Sequence, residues 1–336
     1  MATDYAGAVR TGAMAAGRLH RALGSRELIE RQAGAIDVFD AILSLDVPLL
    51  FRPLKGLLGA FLNEPIRGIL VTTERSMSIQ RFTAAHELGH FSLEHEPSLD
   101  DETILRRMPN SPEPTGRFQE TEADAFAVAF MLPKWLILTH CKRQGWQISD
   151  LQNALTVYQL SLRIGASYEA TCRTLVRYRL ISPGDMERLH KIAPRSLKNN
   201  LLMDFEPDDY RRDVWLLTER DEGTRIDGSR NDLFVLQLKE HSSGGFVWNF
   251  DQLVASGFAI VRDVRREIDD DGVGNPVVRQ ITAAPESAPR GRMQIKEYRP
   301  WQPLPPLSQL TLDYDLTGPE QEGLSRAERR RLLEAA

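Results

Sequence analysis

The chain has 336 residues, 42% of them hydrophobic and 26% charged, which are the proportions of an ordinary soluble globular protein. At roughly 100 to 200 residues per domain, two or three domains are expected. A net charge of −5 excludes a chain that coats nucleic acid along its whole length. Secretion and membrane insertion are not expected either: no run approaches the ~18 to 20 uninterrupted apolar residues of a membrane span, and the amphipathic N-terminus lacks an apolar signal core. Two cysteines, Cys141 and Cys172, are too few for a disulfide scaffold and fit a reducing cytoplasm.

In chain order, helical patterns cover 5–33 and 37–44, and strand-like runs follow at 60–62 and 68–72. Another helical pattern spans 78–95, a loop rich in proline and charge spans 97–116, and an apolar helix ends at Met131-Leu132-Pro133. Residues 134–200 carry eleven Lys and Arg against four Asp and Glu, a +7 island that leaves −12 on the remainder. Within it, helical patterns at 148–162 and 168–180 flank a break at 165–167, which makes a helix-turn-helix-like unit with Arg173 and Arg177 exposed. The acidic stretch 204–222 is expected to be a linker. Beyond it, Leu233-Phe-Val-Leu-Gln-Leu, Phe246-Val-Trp-Asn-Phe and Phe258-Ala-Ile-Val are short β-type runs separated by Gly, Asp and Ser. The end, 324–336, reads as a frayed helix opened by the Ser325 to Glu328 capping spacing.

The chemistry lies in Arg81-Phe-Thr-Ala-Ala-His86-Glu87-Leu88-Gly89-His90-Phe91. Histidines at i and i+4 stack on one helix face, where two imidazoles can grip one divalent ion, and Glu87 can reach the ion's water. This is the H-E-x-x-H arrangement. A catalytic zinc has three protein ligands and an open position, so a third ligand is required. The extended three-histidine pattern fails, because Leu93 stands at the glycine position and Glu96 at the third histidine, with His95 one residue off. A carboxylate from a second helix remains: Glu120 and Asp124, at i and i+4, face the same way, so one can bind the metal while the other accepts the distal N–H of a ligand histidine. Glu122 lies on roughly the opposite side of a regular helix and is held as a reserve ligand.

These two motifs, in this order and spacing over 37–133, resemble the ImmA/IrrE family of metallopeptidases. The resemblance implies a zincin-like fold and a Zn2+ cofactor held by His86, His90 and Glu120, with Glu87 as general base. Asp124 replaces an asparagine common in the family and keeps a role in orienting a ligand. The implied substrate is a protein, a helix-turn-helix transcriptional repressor of the bacterial cytoplasm. In that chemistry the ion acidifies a water, Glu87 takes its proton, and the peptide carbonyl is attacked. Tyr158 and Tyr168 are candidates for steadying the oxyanion. DNA contact by the basic segment is not expected.

A second resemblance lies in the last third. Ser242-Ser-Gly-Gly245-Phe246-Val-Trp248, then Asp271-Gly272-Val-Gly274, then Tyr298-Arg299-Pro300-Trp301 follow the order of the three loop motifs of chagasin-like inhibitors, immunoglobulin-like domains that plug papain-type proteases. Gly245, Phe246, Trp248, Gly272, Gly274, Arg299, Pro300 and Trp301 would then meet a partner. The expected fold is α+β: a zincin-like metallopeptidase domain with a small sheet (1–133), a basic helix-turn-helix-like segment (134–203), a linker (204–222), an immunoglobulin-like β-sandwich (223–318) and a helical tail (319–336). The function expected is a zinc endopeptidase whose β module recognises a substrate or signal. The competing expectation is a non-catalytic, zinc-bearing protein whose β module binds or inhibits a partner protease.

Overall fold

A computed structural model describes residues 4–64, 66–101, 118–266, 277–287, 289–302 and 305–335. It divides into two compact units, one formed by 1–31, 36–137 and 319–336, the other by 32–35 and 138–318.

The first unit opens with α1 (Tyr5–Leu23), capped by the Asp4 side chain and ended by Gly24 in the left-handed region, so the long N-terminal helical pattern breaks into α1 and α2 (Ser25–Arg31). Then come α3 (Val38–Ser44), β1 (Leu49–Arg52), β2 (Leu57–Leu62), β3 (Gly68–Thr72), α4 (Met77–Leu93), β4 (Ser98–Asp101) and α5 (Gln119–Met131). β1 and β3 pair in parallel, while β2 runs antiparallel to both β3 and β4. Nearly every residue of α4 from Gln80 to His90 is buried, as are Ala123, Phe126, Ala127 and Phe130 of α5. Helices apolar on all sides are core helices, and α5 packs between α1 and α4. The helical run Gln119–Gln144 is the one among the described residues long and apolar enough to cross a membrane; most of it is buried inside the protein.

The tail forms the expected terminal helix with the expected Ser325 cap, and adds contacts with the first unit that were not expected. Gly323–Leu324 adds a strand antiparallel to β1, Gln80 exchanges hydrogen bonds with the Glu320 backbone at 2.7 and 3.1 Å, and Ser325 caps the helix Arg326–Ala335. Residues 319–336 therefore belong to the first unit, and the β module is inserted into it rather than appended.

In the second unit α6 (Lys134–Gln144, from Leu138 onward), α7 (Ala154–Arg163), α8 (Tyr168–Arg177), α9 (Pro183–His190) and α10 (Pro194–Leu202) precede the strands. β5 (Val214–Leu217), β7 (Leu233–Glu240), β10 (Val277–Pro285) and β9 (Phe258–Arg266) form one four-stranded sheet in the order β5-β7-β10-β9. β6 (Arg225–Asp227), β12 (Ser308–Asp315), β11 (Arg290–Tyr298) and β8 (Val247–Asn249) form the other, in the order β6-β12-β11-β8. Phe234, Leu236, Phe258, Ile281, Ile295 and Leu312 are buried between them, as alternating strands of a β-sandwich require. The segment expected as a linker at 204–222 contains a core strand instead: Val214, Trp215 and Leu217 are core residues of β5, and Asp213 and Asp221 pair with Lys198 and Arg163. Asp221 pairs with Arg163 of α7 at 2.9 Å with both side chains buried, and Gln159 bonds the backbone of Val214 and Leu216 at 2.8 Å. Helical segment and sandwich are consequently one unit, not two domains.

Candidate metal centre

α4 and α5 bring the sequence-predicted ligands together. His86 Nε2 and His90 Nε2 lie 3.0 Å apart, and the Glu120 carboxylate stands 3.3 Å from the first and 3.6 Å from the second. Tetrahedral bonds of about 2.0 to 2.2 Å set donor atoms roughly 3.3 to 3.6 Å apart. Two imidazoles and one carboxylate at these separations fit a divalent ion of that coordination, and among the described residues this is the cluster of three ligand residues whose donor atoms lie within 4.8 Å of one another. Both histidines are fully buried. Burial alone would raise the Glu120 carboxyl, but hydrogen bonds and charge from His86 and His90 outweigh it and hold the group well below the ordinary carboxylate range.

The remaining acids divide by face. Asp124 Oδ1 lies 2.9 Å from His86 Nδ1, the ring nitrogen turned away from the cluster. Glu122 is not a member of the cluster: its Oε2 meets His95 Nε2 at 2.8 Å, which gives it another partner than the ion. His95 in turn places Nδ1 3.0 Å from His90 Nδ1. Sequence reading missed this contact because it tested His95 only as a ligand. The cause is the end of α4: Glu94 takes a left-handed φ of 55°, and the His95 N–H donates to the His90 carbonyl at 3.0 Å. This Schellman-type stop folds residue 95 back over residue 90. Burial holds His95 below its ordinary value, His90 adds to that, and Glu122 opposes it.

Glu87 is fully buried, with its carboxylate against β2. A Cβ at Gly59 would stand 2.7 Å from Glu87 Oε1 and 2.5 Å from Thr83 Cγ2, so only glycine lets the strand pass the acid. Two more glycines set the helices. A Cβ at Gly89 would be 3.1 Å from Ala123 Cα, and one at Gly12 would be 2.1 Å from the Glu122 carbonyl oxygen. α5, carrying Glu120 and Asp124, is thus held by backbone-close contact on both sides.

The tyrosines proposed for the oxyanion are occupied otherwise. Tyr158 donates to Asp213 at 3.0 Å and accepts from the Val214 N–H at 2.9 Å, and Tyr168 donates to the Leu189 carbonyl at 3.2 Å. Both cysteines are buried and free, their thiols pushed up to about 11 by burial, which is unsuited to nucleophilic work.

In the β-sandwich, Trp248 is a core residue, 2% exposed, donating from Nε1 to the Lys239 carbonyl at 2.7 Å. Trp301 is 73% exposed and lies over Gly245, where a Cβ would come within 2.5 Å of its ring. Arg299 donates to the Gly244 carbonyl at 3.0 Å and covers the Phe246 ring at 4.4 Å. The first and third loop motifs therefore meet, with Pro300 exposed beside them. Gly272 and Gly274 lie outside the described residues, as does most of the loop expected at 97–116.

Residues 44–176 match the family described as the IrrE N-terminal-like domain, Peptidase M78. A curated relative, Amoebiasin-2 of Entamoeba histolytica, is 30% identical over 91 residues, which span 26% of this chain and 73% of the relative. Among solved structures, the cysteine protease inhibitor EhICP2 of Entamoeba histolytica is 25% identical, covering 33% of this chain and 99% of its own, with a TM-score of 0.28. The solution structure of Amebosin is 18% identical, covering 31% and 96%, with a TM-score of 0.24. The likeness to the amoebiasins lies in the C-terminal region.

Proposed function

We propose that this chain, whose residues 44–176 match the IrrE N-terminal-like peptidase family and whose C-terminal region is similar to the amoebiasins, is a zinc endopeptidase acting on a protein substrate. One observation carries this reading: the convergence of His86, His90 and Glu120 around a common point, with the acid Glu87 buried on the same helix. A structural zinc would be closed by a fourth protein ligand, whereas the cluster among the described residues has three. Bound there, zinc would supply Lewis-acid polarisation of a peptide carbonyl and acidify water. Glu87 takes the proton of the attacking water and returns it to the leaving amine. Asp124 orients His86, and Glu120, held anionic, balances the charge of the ion.

The substrate proposed is a helix-turn-helix transcriptional repressor, on the family resemblance, cut in a reducing cytoplasm where both buried cysteines stay free. Incubating the protein with repressors encoded beside its own gene tests this. Cleavage that stops with a chelator and returns with zinc is expected; intact repressor in every arm would contradict it.

A second reading rests on Trp301, exposed beside Gly245 and Phe246. There the β module binds a papain-type cysteine protease, as the resemblance of its loop motifs to chagasin-like inhibitors implies; one solved relative is itself named a cysteine protease inhibitor. It needs no hydrolysis, so a pull-down on the full-length Glu87→Gln variant separates the two.

A further inference from the structure

Zinc held by a histidine Nε2 fixes the proton of that ring on Nδ1, and the partner of that N–H sets the ring's orientation and its strength as a ligand. For His90 the facing atom is unusual. It is not a carboxylate or a carbonyl but a second imidazole nitrogen, His95 Nδ1, at 3.0 Å. Two N–H groups cannot face each other at that distance, and two bare nitrogens would gain nothing there, so one ring must donate and the other accept. Nε2 of His90 faces the Nε2 of His86 and the Glu120 carboxylate; the proton of a metal-bound His90 is then on Nδ1 and donates. His95 must accept at Nδ1 and carry its own hydrogen on Nε2. That atom lies 2.8 Å from Glu122 Oε2, a hydrogen-bond acceptor on α5. Both His95 and Glu122 side chains are only 8% exposed, so water competes little for these bonds.

We propose that His95 and Glu122 are positioning residues, a relay in which Glu122 accepts from His95 and His95 accepts from His90, so that the first metal-ligand helix and the second are locked to one tautomer chain. The inference rests on the zinc reading given above. It also gives Glu122 and the left-handed turn at Glu94 a use that direct coordination does not. His86 has the simpler arrangement, a carboxylate from Asp124, and the two ligand histidines are thus held from behind by different devices on the same pair of helices.

The test uses the full chain loaded with zinc. Long-range proton–nitrogen NMR of the histidine rings reads tautomers directly: His95 is expected with hydrogen on Nε2, and hydrogen on Nδ1 overturns the relay. Zinc affinity, measured by competition with a chromophoric chelator, should fall ten- to hundredfold in His95→Leu. His95→Asn, whose amide oxygen can stand where Nδ1 stood, should recover most of that loss; a merely space-filling residue would give the reverse order. Affinity unchanged in His95→Leu also overturns it. Should His95→Leu fail to fold, the wild-type tautomer and the His95→Asn affinity still decide. A wild type that binds no zinc overturns the proposed function and the relay together; a wild type that binds zinc with His95 in the other tautomer overturns the relay alone.

Discussion

Replacing Gly12 with alanine should weaken both the first unit and its metal centre, although α1 carries none of the metal-site residues. By helix propensity alone the change would stabilise α1 by about 1 kcal/mol. Against this, the new Cβ would stand 2.1 Å from the Glu122 carbonyl oxygen and 2.8 Å from the Phe126 nitrogen. Both are backbone atoms of α5, so no side chain can swing aside. Reaching even a tight 3.0 Å contact requires the helices to part by about 0.9 Å (3.0 minus 2.1). Overpacking of this kind costs about 1 to 3 kcal/mol, which offsets the propensity gain and leaves a net loss of up to about 2 kcal/mol. Because Glu120 and Asp124 ride on α5, a displacement approaching 1 Å also exceeds the ~0.2 Å tolerance of metal–ligand distances, and zinc affinity should drop at least tenfold. Gly17→Ala on the same helix is the control: its Cβ would meet nothing closer than Arg21 Nη1 at 3.9 Å, and it should gain about 0.5 to 1 kcal/mol. Urea denaturation of the metal-free proteins, with chelator competition on the loaded ones, compares the two. If Gly12→Ala is as stable as Gly17→Ala, or binds zinc as tightly as wild type, the clamped-helix account of the site is wrong.

Other expectations follow from single contacts. Glu120→Gln should lower metal affinity much more than Glu122→Gln, whose amide oxygen can still accept from His95, as titration against a chelator can measure; the opposite order would return Glu122 to the ligand set. His140, fully buried and donating to the Gly34 carbonyl, is pushed down to about 4 from 6.5 by burial. Its neutral form is favoured by folding, so its contribution is intact above pH 6.5 and is lost progressively as pH falls toward 4. At about 1.4 kcal/mol per pH unit, wild type should lose about 2 to 3 kcal/mol more than His140→Gln between pH 7 and 4.5, and denaturant melts giving parallel curves would refute this. Trp301→Ala should cut binding to a papain-type protease by about 2 kcal/mol or more with no change in melting temperature, since the ring is exposed. Unaltered protease binding would remove the second functional reading.

His86 and His90 were legible because they obey a local rule, i and i+4 on one helix, so spacing translates directly into geometry; the same spacing put Glu120 and Asp124 on one face, and the family resemblance assigned the ligand role to Glu120. Asp124 followed from the same rule. His95 did not, because its position depends on a left-handed turn at Glu94, and glutamate carries no signal for that conformation. β1 was passed over since it has only four residues between Pro48 and Pro53, although Leu49 and Phe51 alternate into the core. The tail strand pairs residues 50 and 324, a contact that no local pattern announces. In 204–222 the acidic charges concealed a strand. They read as solvated linker, while Asp213 meets Lys198 at 3.2 Å and Asp221 meets Arg163 inside the second unit. Trp248 and Trp301, alike in sequence as aromatic ends of loop motifs, part in the fold into a core residue and an exposed one.

The most direct test of the central claim is the Glu87→Gln variant, which keeps the shape of the buried side chain beside Gly59 and removes its proton acceptor. Metal content by elemental analysis and cleavage of a candidate repressor are measured on the same preparation. About one zinc per chain should remain in both proteins, while peptide hydrolysis falls by a factor on the order of 10² to 10⁴ in the variant. Equal cleavage by wild type and variant, with zinc present in both, would contradict the assignment of Glu87 as the base and with it the mechanism built on this helix.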